Sequence, residues 1–135
     1  MIRWYLQTRD LVTVDQGGQT VLQVQTAREC EITTIRVEFP GAPLELKSKI
    51  GVGEQVAAVG LRRVPKCGRH GPYGYQGIGG YVIGQPILYE RLEPPNYWWH
   101  WCGRNKGLLL SPGYAVGIVV ATNMPAACKV FVGGE

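Results

Sequence analysis

The sequence predicts an all-β fold, a jelly-roll sandwich of two antiparallel sheets. Three observations predict it. Short apolar or alternating runs recur at fairly even spacing along the chain, and none has the period and length of a helix. Turn formers separate the runs: 19 Gly and 9 Pro are scattered without a repeat, presetting φ or supplying positive φ at many points. With 45% hydrophobic residues, the 135-residue chain can bury a core as one domain, which sets it apart from Gly- and Pro-rich disordered sequences. Roughly eight to ten such strands suit two packed sheets.

Each element follows from its residues. Residues 2–7 alternate, with Trp4 and Leu6 on one face. Residues 11–14 form a second short strand, Asp15-Gln16-Gly17-Gly18 a hairpin-type turn, and 19–26 alternate again. The strand 30–39 sets Ile35, Val37 and Phe39 against Thr34, Arg36 and Glu38. One wet face of this kind belongs to an antiparallel sheet. Residues 44–50 read as a short strand or loop, Gly51-Val52-Gly53 as a turn, and 54–64 as a strong strand. A long loop follows at 65–80, then strands at 81–83 and 86–92. Residues 97–102, YWWHWC, form an aromatic strand or loop. The strands 107–110, 114–121 and 127–132 close the chain as a meander, separated by Ser111-Pro112-Gly113 and by a turn over 122–125. Residues 114–121, YAVGIVVA, are apolar on both faces. A single sandwich buries one face of a strand, so the second predicts a neighbouring chain in a closed symmetric oligomer.

Composition narrows function by exclusion. No run approaches the roughly 20 apolar residues of a membrane-spanning helix. The first ten residues, MIRWYLQTRD, carry charges and lack an apolar stretch, so no signal peptide is expected and synthesis in a cytosol is. The net charge of +4 is mild, and no aromatic platform flanks a basic run, so neither nucleic acid nor membrane is an expected partner. With two Asp and two His, and without a nucleophile elbow or a zinc-protease helix, the chain is expected not to be an enzyme.

Three residue groups are candidate sites. Arg62, Arg63, Lys66 and Arg69, with Tyr73 and Tyr75, make either a solvated loop or a docking patch for an acidic partner. Trp98, Trp99 and Trp101 are the most unusual composition in the chain. Neighbours on a strand point to opposite faces, so one of Trp98 and Trp99 faces the core and the other faces solvent or a partner. The group is read as core and rim, as an interface hot spot, or as a sugar-stacking platform flanked by Asn96, Arg104 and Asn105. Among the cysteines, Cys30 and Cys128 fall on strands expected to be neighbours and read as buried free thiols. Cys67-x-x-His70 and His100-x-Cys102 together have the donor types of a zinc site, against the plainer reading of a loop thiol and an exposed His. No other cofactor is expected.

Four segments carry a family resemblance: EITTIRVEFPG (31–41), VGLRRVPKCG (59–68), KGLLLSPGYAVGIVVAT (106–122) and KVFVGGE (129–135). In pattern and order they resemble the trimeric, tumour-necrosis-factor-like jelly-roll virion proteins of tailed bacteriophages. The resemblance covers most of 29–135 and implies a jelly-roll domain there. Residues 1–28 have no place in it and are expected to form N-terminal strands or a docking arm. The resemblance implies a homotrimer that decorates or cements the capsid, bound to the major capsid protein on the outer surface of the head shell. Such a protein would be made in the host cytoplasm and located in the virion. The alternative within the same group is a receptor- or glycan-binding module of a tail or fibre.

Overall fold

The structure, a computed structural model, describes residues 3–54, 76–78, 81–83, 86–103, 108–110, 112 and 115–135, with backbone alone at 54, 76–78, 81–83 and 86–87. The strands are β1 (Trp4–Gln7), β2 (Val12–Val14), β3 (Gln19–Gln25), β4 (Cys30–Glu38), β5 (Ser48–Glu54), β6 (Gln76–Ile78), β7 (Tyr81–Ile83), β8 (Pro86–Leu92), β9 (Trp98–Cys102), β10 (Leu109–Leu110), β11 (Ala115–Thr122) and β12 (Ala126–Gly134). No helix occurs among the described residues.

The pairing follows one rule. β1 and β2 pair with β12, β3 with β11, β4 with β9 and β10, and β5 with β8, all antiparallel. The chain runs out along the first member of each pair and returns along the second, so it is a long hairpin ribbon. Rolling the ribbon brings β12 beside β4 and β11 beside β5. Two sheets result: a six-stranded one with β12 and β4 at its centre, and a four-stranded one ordered β3-β11-β5-β8. This is jelly-roll wiring. The last three strands are therefore not a meander, because β10 and β12 lie in one sheet and β11 in the other. The apolar period is blind to this: consecutive strands can pair, or cross the sandwich, with the same alternation.

The core lies between the sheets. Ile32, Ile35 and Val37 of β4 and Cys128, Val130 and Val132 of β12 face Ile50 and Val52 of β5 and Val116, Ile118 and Val120 of β11. All are at most 1% exposed. At the end of β12 the register shifts between Gly133 and Gly134. A Cβ on Gly134 would lie 2.1 Å from the Glu31 carbonyl oxygen and 2.5 Å from Cζ2 of Trp4, so the close approach of β1 and β4 requires glycine there.

Three expectations change. Gly51-Val52-Gly53 is not a turn but the interior of β5. Gly51 faces Val119, and Gly53 faces Gly117, on the side of the sheet away from Val52 and the core. Small residues there leave room for another backbone, and β6 and β7 approach β5 and β11, whose lateral edges are already paired. Second, β1 to β3 are built into both sheets, so a boundary at residue 28 does not divide the sandwich. Third, the second apolar face of β11 is already buried within one chain: Val119 is 0% and Ala121 3% exposed, packed with Tyr89. That face no longer calls for a neighbour. The expected strand 54–64 lies outside the described residues beyond Glu54, as does most of the loop 65–80 apart from β6.

Candidate interaction surface

The six-stranded sheet turns its other face outward. Alternation decides what it shows: where Val130 and Val132 point inward, Lys129 and Phe131 point out, and where Ile35 and Val37 point inward, Arg36 and Glu38 point out. The registers line these residues up across the sheet. Gln7, Phe131, Arg36 and His100 form one row; Lys129, Glu38 and Trp98 form the next; Tyr5, Gly133, Thr34 and Cys102 flank the first on its other side.

The rows are internally organised. The Tyr5 and Phe131 rings stack, centroids 5.6 Å apart at 23°. Gly133 lies between Tyr5 and Thr34 in its row, and a Cβ there would come 2.8 Å from Thr34 Cγ2. Arg36 makes an ion pair with Glu38 and holds its guanidinium 5.5 Å from the Trp98 ring centroid. Tyr5 remains 66% and Trp98 58% exposed. The surface is thus a band of aromatic rings with charged residues between them and a shallow depression of about 150 Å³ among Gln7, Arg36, Glu38, Lys129 and Phe131, able to bury rings against a partner while Arg36, Glu38 and Lys129 stay paired or wet.

Among the predicted tryptophans, Trp98 points out, while Trp99 and Trp101 point inward and pack against the core. The Trp101 ring lies against Gly103, where a Cβ would come 1.9 Å from Cζ2. Asn96 is exposed two positions before Trp98, while Arg104 and Asn105 lie outside the described residues. Arg62, Arg63, Lys66, Arg69, Tyr73 and Tyr75 also lie outside them.

Of the expected zinc donors, Cys67 and His70 lie outside the described residues. His100 and Cys102 share the outward face, with Nε2 of His100 3.4 Å from Cys102 Sγ and 2.9 Å from Thr34 Oγ1. Among the described residues no group of three or more His, Cys, Asp or Glu is placed to hold a metal. Cys30, Cys102 and Cys128 are free thiols. Cys30 and Cys128 are on adjacent strands but at opposite ends: Cys128 is opposite Val12, Cys30 opposite Leu110. Burial pushes the Cys128 thiol up to about 12. Burial also raises Cys30, helped by nearby Glu29 and opposed by a hydrogen bond with Thr26. Both are thiols at neutral pH, poor nucleophiles and poor metal ligands.

Arg36 falls on the wet face that alternation assigns to its strand, whereas Tyr5 and Phe131 did not stand out in the sequence as surface residues, although alternation with Trp4 and Val130 carried the signal. No family model matches the chain, and no curated protein matches its sequence.

Proposed function

We propose that the chain is a non-enzymatic virion structural protein of a tailed bacteriophage, a capsid decoration or cement protein that acts as a homotrimer on the outer surface of the head shell. The observation that carries the reading is the outward aromatic band of exposed Tyr5 and Trp98 with half-buried Phe131 on the six-stranded sheet. A ringed surface with charges between the rings, whose depression of about 150 Å³ is smaller than small-molecule sites usually are, suits association with another protein surface better than it suits enclosing a small substrate. The jelly-roll wiring and the resemblance of four segments to trimeric phage virion proteins supply the rest of the support.

In this reading the aromatic band joins three copies, and the basic, Tyr-containing segment from Arg62 to Tyr75 docks to acidic residues of the major capsid protein. The mechanism is linkage. A protein that binds only assembled shell stabilises that state by RT ln(1 + [L]/Kd), about 2.7 kcal/mol at a hundredfold excess over Kd. Three docking segments on one trimer add avidity. The test compares particles with and without the protein. Particles lacking it should lose heat resistance and still adsorb to cells. Unchanged robustness with lost adsorption would refute the cement role in favour of receptor binding.

A further inference from the structure

The four-stranded sheet ends in a cleft of about 390 Å³ lined by Gln16, Lys47, Ser48, Lys49, Arg91, Glu93, Ala121, Thr122 and Asn123. We propose that this cleft binds a small polar ligand bearing a carboxylate or phosphate group, of the class of acidic sugars. It lies on the other sheet from the aromatic band, so the proposal does not depend on the function given above.

Charge is the first argument. Lys49 and Arg91 are direct cross-strand partners, and their neighbours Ile50 and Leu92 point into the core, so both cations stand on the outer face. Like charges directly opposite are unfavourable in a sheet. Lys47 adds a third cation. The carboxylate lining the cleft is Glu93, whose Oε2 is 3.9 Å from Lys47 Nζ with both side chains more than 60% exposed, an ion pair worth little. Glu90 does not contribute to this face, because Tyr89 and Arg91 alternate with it. A bound oxyanion would satisfy cations that the sheet itself sets against one another.

Rigidity is the second. Nε of Arg91 donates to the Tyr89 hydroxyl at 3.3 Å, with the guanidinium carbon 5.9 Å from the ring centroid. That contact is made through Nε, and the two terminal amino groups of the guanidinium have the fork geometry that grips a two-oxygen acid. Asn123 is locked from several sides. Its Nδ2 donates to the Glu45 carbonyl at 3.0 Å, its Oδ1 accepts from Lys47 N at 2.8 Å, and its own N donates to the Lys47 carbonyl at 3.0 Å. Gln16 Nε2 donates to the Asn123 carbonyl at 3.0 Å. The turn after β11 is thereby tied to the segment carrying Lys47, and the wall is fixed before any ligand arrives. A fixed wall lowers the ordering cost of binding.

Size and lining are the third. The cleft falls in the range of small-molecule sites and exceeds the volume of one anion. Ser48 and Thr122 are buried and turn inward, while the exposed Gln16 side chain brings an amide to the cleft, its Oε1 an acceptor for a ligand hydroxyl, and Ala121 leaves the floor open. A sugar ring with an acidic substituent matches both halves of that lining.

Calorimetric titration at low ionic strength tests this with glucuronate, glucose 6-phosphate, glucose and inorganic phosphate. Binding of either acidic sugar, with glucose silent and inorganic phosphate at least about tenfold weaker than the acidic sugar that binds, is the expected result. Whichever acidic sugar binds identifies the acid. Arg91→Gln and Lys49→Gln should each weaken binding about tenfold or more, while Lys129→Gln on the opposite sheet leaves it unchanged. Circular dichroism of each variant confirms that it is folded. Silence with both acidic sugars, equal binding of glucose, or binding that survives Lys49→Gln/Arg91→Gln overturns the proposal. Inorganic phosphate binding as tightly as the acidic sugars would leave an adventitious ion only, and overturns it too.

Discussion

The six-stranded sheet turns Tyr5, Phe131 and Trp98 outward and leaves Tyr5 and Trp98 largely exposed, whereas the four-stranded sheet turns Gly51, Gly53, Gly117, Val119 and Ala121 outward and keeps them buried. Both outer faces carry apolar residues among polar ones, yet the chain covers those of one and leaves those of the other exposed. Side-chain size separates them. Glycine and alanine let another backbone approach, while stacked rings hold a neighbour at a ring's width and offer it contact area instead. An apolar outer face is therefore a sign of an oligomer only when its residues are large.

The covered face is the easiest place to break this contrast. Val119→Asp should destabilise the chain by at least about 3 kcal/mol in urea unfolding, since it leaves a charge buried without a partner. Trp98→Asp sets a second acid opposite Glu38 on an exposed face and should cost no more than about 1 kcal/mol. Equal effects at the two positions would erase the distinction between the faces. Next in size is Gly134→Ala at the end of β12. Its Cβ meets the Glu31 carbonyl and Trp4, and the overpacking should cost about 1–3 kcal/mol. An unchanged urea midpoint would show that β1 and β4 do not approach so closely.

A titration sharpens the inner side of the same sheet. The Cys128 thiol holds its proton up to about 12 in the fold, against an ordinary 9.0. Between those values the unfolded chain gives up a proton that the folded chain keeps. The stability contributed by the neutral thiol is intact below pH 9.0 and is lost as the pH rises towards 12, by up to about 1.4 kcal/mol per unit. The difference between the native chain and Cys128→Val isolates it from other groups. Identical alkaline profiles would mean that Cys128 is not buried. The smallest effect belongs to the basic cleft. Lys49→Glu places an acid opposite Arg91 and should raise stability by about 0.2–1 kcal/mol, seen as a higher melting temperature. A lower one would mean that Lys49 is held by an acid within the chain.

Much of the fold was legible. The strand 86–92 has the same bounds in sequence and structure, and 30–39, 19–26 and 97–102 differ by one residue at an end. Alternation also required one of Trp98 and Trp99 to face inward, and it is Trp99. Glycine misled at 51–53. Two glycines around a valine have the composition of a turn, and only the pairing of β5 with β11 and β8 shows them as a strand whose covered outer side carries no side chains at these positions. The meander was misplaced for a related reason, because sheet membership depends on which distant strands meet. Half of the zinc set, Cys67 and His70, and the basic loop from Arg62 to Tyr75 lie outside the described residues. The basic cleft escaped notice because Lys47, Lys49, Arg91 and Glu93 come from segments far apart in the chain and carry no local motif.

The aromatic band of the six-stranded sheet is the assembly face we propose. Its most direct test is the solution mass by light scattering at micromolar concentration, for the native chain and for Tyr5→Glu/Phe131→Glu. A mass of three chains of 14.9 kDa each for the native protein, falling to one for the variant, is the predicted result. A native protein that is a monomer, or a trimer that survives the double substitution, would contradict it.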